Sequence, residues 1–188
     1  MKQRVVLIGP HGAGKTTLAR ALVAAEPQPL KYELEQLVTS RPRRLNEDDL
    51  EYAFVSQRQF DENRQDYAYI QLNRGVSWNY ALRADHPVAP STVRLYVVIP
   101  ETAVYLRNSF PQDTIVIGVV PPSSEALRQR LQERDPTASQ AELDVRLRYL
   151  DYDIEQAYQL ADAVFCNQAS ITEAADALRA TIEKLVQE

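Results

Sequence analysis

The sequence predicts an α/β fold: a central parallel sheet flanked by helices, with a small β-rich lobe inserted into it and a lid. Three observations predict it. Short apolar runs of buried-strand type, Arg4–Ile8, Val93–Ile99 and Thr114–Val120, alternate with helical patterns, which implies parallel strands covered on both faces. The first run stops at a glycine-rich loop and passes directly into a helical pattern. Between residues 41 and 83 the texture changes to short aromatic strands and turns, holding Tyr52, Tyr67, Tyr69, Tyr80 and the only tryptophan, Trp78.

Taken in order, Arg4–Ile8 (RVVLI) reads as a buried strand, and Thr16–Ala25 as a helix stopped by Pro27 and Pro29. Lys31–Thr39 reads as a second strand. Tyr52–Ser56, Tyr67–Leu72 and Val76–Leu82 read as the strands of the inserted lobe, assigned to residues 40–83. Tyr67 and Trp78 are expected in the core of that lobe. Ser123–Arg134 opens on a capping serine after Pro121 and Pro122. Leu143, Leu147, Leu150, Ile154 and Tyr158 recur at three- and four-residue spacing, which predicts one amphipathic helix over Ser139–Ala161. Ala163–Cys166 is a last short strand, with Cys166 expected as a buried, inert thiol. Ile171, Ala175, Leu178, Ile182 and Leu185 mark a closing helix. No internal repeat or low-complexity stretch is present, and residues 1–188 are expected to form a single domain.

Composition narrows the function classes. Of the 188 residues, 45% are hydrophobic and 25% charged, as in an ordinary globular protein. No stretch is long and apolar enough to span a bilayer, and the N-terminal apolar run is too short for a signal sequence. The single cysteine excludes an internal disulfide framework and fits a reduced, cytoplasmic setting. A formal net charge of −5 argues against nucleic acid as a partner. The arginines nevertheless cluster: Arg41, Arg43 and Arg44; Arg128, Arg130 and Arg134; Arg146 and Arg148. Such clusters in an acidic chain suit discrete phosphate groups.

Gly9-Pro-His-Gly-Ala-Gly14-Lys15-Thr16 matches G-x-x-x-x-G-K-[ST] at every position, between an apolar strand and a helix. Glycines let successive backbone N–H groups turn inward onto phosphate oxygens, and the helix N-terminus adds its positive dipole. Gly9, His11, Gly12, Ala13, Gly14, Lys15, Thr16 and Thr17 are therefore expected to hold ATP. Lys15 reaches the β- and γ-phosphates, and the Thr16 hydroxyl ligates Mg²⁺. His11 is read as a backbone contributor. Arg130, Arg134 and Arg146 flank Asp135–Gln140, a segment of lid-like composition, and are expected to close over the transferred phosphate from a lid at residues 130–146. The expected class is an ATP-dependent phosphotransferase acting on a small phosphorylated molecule.

At this point the chain resembles the guanylate kinase family. The resemblance rests on GPHGAGKTTL, on Thr39-Ser-Arg-Pro-Arg43, on Glu51-Tyr-Ala-Phe-Val-Ser56 with Phe60, and on Val120-Pro-Pro-Ser-Ser. It continues through Leu127-Arg-Gln-Arg-Leu-Gln-Glu-Arg134, Arg146-Leu and Asp162-Ala-Val-Phe-Cys-Asn167, in family order and spacing up to about residue 167. It implies a P-loop kinase fold with a core, a lid and an inserted monophosphate lobe, and transfer from ATP to GMP or dGMP with Mg²⁺. It places Arg43 and Tyr52, joined by Arg41, at the acceptor phosphate; Tyr80 of the aromatic lobe is a further acceptor-binding candidate from the residues themselves. Asn167 falls near the adenine, with Arg134 close by.

The departures all concern the acceptor. Ser40 stands at a family arginine, with Arg41 one residue later; Asn46 stands at an acidic position, with Glu47 adjacent. Tyr69 stands where the family's guanine-reading acid lies, Trp78-Asn-Tyr80 replaces a Tyr-Gly-Ser/Thr step, and the next strand ends Val97-Val-Ile-Pro-Glu101 without aspartate. A carboxylate accepting from guanine is a strong selector, because its loss leaves donors unpaired. Three readings stay open: a guanylate-kinase-like enzyme reading guanine through other residues such as Gln36, Asn73 or Asn79; the same fold acting on another monophosphate or a phosphorylated sugar; and a non-catalytic binding module of that fold.

Overall fold

In a computed structural model, the structure describes all residues except 1, 27–28, 45–46, 72–76, 85–86, 135–139, 169 and 188, and only the backbone at 134, 142, 145 and 146. The larger sheet has five strands in the order β2-β7-β1-β8-β9, all parallel. These are β1 (Arg4–Ile8), β2 (Lys31–Leu34), β7 (Thr92–Val97), β8 (Thr114–Val120) and β9 (Ala163–Cys166). The smaller sheet runs β4-β3-β6-β5: β3 (Leu37–Thr39), β4 (Tyr52–Phe54), β5 (Tyr67–Ile70) and β6 (Tyr80–Arg83).

Strand periodicity divides the main core. Val5 and Leu7 of β1 face one side with α1 (Lys15–Ala24) and α7 (Ile171–Gln187), through Leu18, Leu22, Leu178 and Ile182. Val6 and Ile8 face the other, with Ala103 and Leu106 of α3 (Pro100–Ser109) and Ala157 of α6 (Leu150–Leu160). These side chains are essentially fully buried, at roughly 1.5–3 kcal/mol for each large aliphatic. Helices α4 (Ser124–Arg134) and α5 (Gln140–Arg148) add a separate cluster: Leu127, Leu131 and Leu143, with Leu150.

The smaller sheet has its own core of Val38, Phe60 and Ala81, with Tyr67 packed on Phe60 at 4.8 Å between ring centroids. Phe60 comes from α2 (Gln57–Glu62), a helix the aromatic pattern does not suggest. Its signal is Ser56-x-x-Gln59: the Ser56 side chain accepts from the Gln59 N–H, and the Gln59 side chain accepts from the Ser56 N–H.

Several elements differ from the sequence reading. The expected strand Lys31–Thr39 is two strands in two sheets. Glu35 N still donates to Leu95 O, but two residues later Leu37 N donates to Glu51 O, so the chain changes sheets across Glu35 and Gln36. The strand expected at Tyr52–Ser56 stops at Phe54 because Ser56 caps α2. Those expected at Tyr67–Leu72 and Val76–Leu82 run Tyr67–Ile70 and Tyr80–Arg83; Leu72 and Val76 lie outside the described residues. The long helix expected over Ser139–Ala161 breaks at Tyr149, whose φ of −98° and ψ of 7° are not helical. Trp78 is 40% exposed rather than in the lobe core. Cys166 is exposed, because β9 is an edge strand whose residues alternate between half-buried and exposed, and Cys166 falls on the open side.

Candidate active site

The loop from Gly9 to Gly14 joins β1 to α1 at the C-terminal edge of the parallel sheet, where open α/β sheets place ligands. Its three glycines have positive φ, and two positions show why no side chain fits. A Cβ on Gly9 would lie 2.1 Å from Val119 O on β8, and one on Gly14 would lie 2.2 Å from Asn167 Nδ2. Asn167, buried just past β9, donates from that same nitrogen to Ala13 O at 2.8 Å. The loop is thus gripped from beneath by β8 and from the side by Asn167. Ala13 is fully buried; His11 and Thr17 are exposed.

Lys15 Nζ lies across the loop, donating to Gly9 O at 2.7 Å and Pro10 O at 2.9 Å. Thr16, one residue into α1, donates its hydroxyl to Glu51 Oε1 at 2.9 Å. Glu51 immediately precedes β4, so this bond joins the loop to the smaller sheet. One turn on along the same helix face, Arg20 makes a two-pronged pair with Asp48, at 2.7 and 2.5 Å.

Behind that junction stand the arginines and tyrosines singled out in the sequence. Arg41 is buried and pairs doubly with Glu47, at 2.9 and 2.6 Å, and lies 5.2 Å from the Tyr52 ring centroid and 5.3 Å from that of Phe54. Burial disfavours the charged guanidinium, but the Glu47 hydrogen bond together with the Tyr80, Glu47 and Tyr52 charges outweighs it, and the net effect holds Arg41 more firmly protonated than usual. Its Nε is buried with no partner among the described residues. Arg43 lies over Phe54 at 4.5 Å and pairs with Asp49 and with Glu47 O. Tyr52 and Tyr80 meet edge to face at 5.8 Å. Burial, reinforced by the Glu51 charge, raises the Tyr52 phenol well above its ordinary value, so it stays a neutral donor.

On the α4 side, Arg130 Nη2 donates to Asn167 O at 3.0 Å, while its Nη1 is buried with no partner among the described residues. Arg130 is thus a neighbour of Asn167. The side chains of Arg134 and Arg146, and residues 135–139 between them, lie outside the described residues, as do Asn46 and Asn73. Tyr69 stacks on Tyr105 of α3, with centroids 4.5 Å apart and planes at 21°. Glu101, in the first turn of α3, has an oxygen 3.5 Å from the Tyr152 hydroxyl. Asn79 donates to Gln57, and Gln36 donates to Asp49 O and accepts from Arg83. The sequence reading missed Glu51, Asp48 and Arg20, which become visible only once the two sheets are placed together.

Known proteins resemble this chain over most of its length. The family model for guanylate kinase matches residues 1–185. A guanylate kinase of Chelativorans sp. (strain BNC1) is 31% identical over 159 residues, covering 81% of this chain and 70% of the relative. One from Bartonella quintana (strain Toulouse) is 29% identical, covering 97% of this chain and 89% of its own length. Among solved structures, the guanylate kinase of Anaplasma phagocytophilum superposes with a TM-score of 0.73 at 19% identity, covering all of this chain and 87% of that one. A shikimate kinase from Acinetobacter baumannii shares the fold more distantly, with a TM-score of 0.52 at 15% identity, covering all of this chain and 97% of that one.

Proposed function

We propose that this chain, which belongs to the guanylate kinase family, transfers the γ-phosphoryl group of ATP to a nucleoside monophosphate, GMP or dGMP. The observation that carries this reading is the meeting of two anion-handling sets at one point. The loop with Lys15 and Thr16 touches the lobe bearing Arg41, Arg43, Tyr52 and Tyr80 through the 2.9 Å bond from Thr16 to Glu51.

In this reading the loop N–H groups from Gly9 to Thr17 and the N-terminus of α1 hold the ATP phosphates, and Asn167 fixes the loop and bounds the adenine side. Lys15 turns its ammonium from the Gly9 and Pro10 carbonyls onto the β- and γ-oxygens. Arg41, Arg43 and the hydroxyls of Tyr52 and Tyr80 fix the acceptor phosphate, with the buried Arg41 Nε as a donor available to it. An oxygen of that phosphate attacks the γ-phosphorus in line. It is already anionic, so no general base is required, and catalysis is positioning and charge neutralisation. Arg130, Arg134 and Arg146 act from a lid at residues 130–146, where the buried Arg130 Nη1 is a donor for the moving phosphoryl group.

The hydroxyl of Thr16, a hard oxygen donor beside the carboxylate of Glu51, fits Mg²⁺, which takes oxygen ligands and shares them with substrate phosphates. When bound there, the ion neutralises charge on the β- and γ-phosphates. The substrates are small molecules, so neither nucleic acid nor a membrane is needed. Among the described residues no helix is long and apolar enough to cross a membrane. The single, exposed Cys166 suits a reducing cytoplasm.

One observation favours a second acceptor class. Tyr69, at the position of the guanine-reading acid, stacks on Tyr105 and offers a phenol where a carboxylate is expected. Under that reading the acceptor is a different monophosphate or a phosphorylated sugar. A coupled ADP-release assay with MgATP against GMP, dGMP, AMP, CMP, UMP, dTMP and sugar phosphates decides. Turnover with GMP or dGMP alone supports the first reading, and turnover only with another acceptor supports the second. No ADP release with any acceptor contradicts both.

A further inference from the structure

We propose that Glu51, delivered from the acceptor lobe, is the carboxylate of the metal site. This inference rests on the kinase reading above and assigns a residue to its site. A P-loop enzyme holds its metal between the loop hydroxyl and a carboxylate from a neighbouring strand. Here the strands beside β1 are β7 and β8; β7 ends at Val97 and is followed by Val98, Ile99 and Pro100, and β8 ends in Val119 and Val120, none of which has a side chain that ligates a cation. The first acid past the end of β7, Glu101, belongs to α3, and its oxygen lies near the Tyr152 hydroxyl on α6. The carboxylate that does reach the loop hydroxyl comes from the other sheet: Glu51 Oε1, 2.9 Å from Thr16 Oγ1.

Three features support a built arrangement. The Arg20–Asp48 pair, one helical turn along α1 from Thr16, holds the segment carrying Glu51 against that helix. The backbone of Glu51 is itself fixed, since its carbonyl accepts from Leu37 N at the start of β3. Glu51 is half-buried, and the next residue, Tyr52, lies with its ring centroid 5.2 Å from the Arg41 guanidinium, so one segment carries both the carboxylate at the loop hydroxyl and a group that handles the acceptor phosphate. Hydroxyl and carboxylate oxygens are the donors that Mg²⁺ prefers, and it is commonly held by one or two carboxylates together with substrate phosphates. Because Glu51 moves with the lobe, retention of the metal depends on the lobe's position.

The test uses Mn²⁺ as an EPR-visible probe, titrated into the full-length chain with a non-hydrolysable ATP analogue, alongside titration of the analogue alone in chelator. Glu51→Gln should bind the metal-free analogue as the wild type does, yet lose about 10–100-fold in Mn²⁺ affinity. Glu51→Asp should recover part of that loss. Asp48→Asn, which weakens the Arg20 clamp but leaves the hydroxyl–carboxylate pair in place, should lose much less Mn²⁺ affinity than Glu51→Gln. Unchanged or tighter Mn²⁺ binding in Glu51→Gln would overturn the assignment, since the carboxylate would then only cover Thr16. A loss in Asp48→Asn equal to that in Glu51→Gln would overturn it too, by tracing the effect to docking. Failure of the wild type to bind the analogue would overturn the kinase reading and this assignment with it, whereas normal analogue binding with an indifferent Glu51→Gln would overturn this assignment alone.

Discussion

Asn167 Nδ2 sits 2.8 Å from Ala13 O and 2.2 Å from where a Cβ on Gly14 would lie, so one amide both holds the loop and forbids a side chain beside it. Gly14→Ala should therefore be destabilising twice over. Its φ of 95° costs an L-residue about 1–2 kcal/mol, and Asn167 must also give way. Asn167→Ala should cost about 1–3 kcal/mol by leaving a buried carbonyl unpaired. Thermal unfolding with and without an ATP analogue checks both, and each variant should also show a smaller stabilisation by the nucleotide.

Lys15→Ala removes the ammonium that spans the Gly9 and Pro10 carbonyls but no part of the core. It should lower kcat by at least about 10²–10³ while the circular dichroism spectrum and thermal midpoint stay those of the wild type. Most of the turnover surviving in this variant would place the reaction elsewhere.

The Arg41–Glu47 pair predicts how acid loosens the lobe. Burial pushes the Glu47 carboxyl up, but the Arg41 hydrogen bond, the Arg44 N–H and the Arg41 and Arg44 charges outweigh it, leaving Glu47 below the usual carboxylate range. A carboxyl whose value is depressed by folding stabilises the protein above its unfolded value, and that contribution is lost as pH falls through the folded value. Glu47→Gln should thus be less stable than wild type by about 1–3 kcal/mol at neutral pH. The gap should close as pH is lowered through and below the ordinary carboxylate range. Melting curves of both proteins across that range measure it, and a gap that widens in acid would reverse the sign.

Phe60 is wholly buried beneath the smaller sheet and carries its packing with Val38, Ala81 and Tyr67. Phe60→Ala should cost about 3–5 kcal/mol. Since α1, α7 and the larger sheet lie in a separate cluster, hydrogen exchange should rise first in residues 37–83 and leave β1 and β8 protected.

Much of this was legible in the residues. A strand, a glycine loop and a helix in succession can be read locally, because each depends on its own residues: apolar β1, the backbone freedom of Gly14, the helix formers of α1. The switch of sheets at Glu35 and Gln36 was not, because an apolar stretch shows that it is buried without showing which strand it pairs with. The break at Tyr149 was hidden because the leucine spacing continues across it without glycine or proline. Trp78 was misplaced because aromatic content suggests a core but does not say which aromatics enter it. Helix α2 had left a signal, the Ser56 and Gln59 capping box, which a reading tuned to strands passes over. Of the site, the loop and Arg41, Arg43 and Tyr52 followed from motif and resemblance. Glu51 and Asp48 could not, because their partners on α1 are remote in sequence and only the packing of two sheets unites them.

The central claim is that the γ-phosphoryl group passes directly from ATP to a monophosphate held by the lobe. Phosphorus NMR of the chain with MgATP and GMP tests it most directly. The account predicts that ADP and GDP signals grow together at equal rates, with little inorganic phosphate, and that both vanish in Lys15→Ala. Release of inorganic phosphate with GMP unchanged, or ATP left intact in the presence of GMP and every other monophosphate, would contradict it.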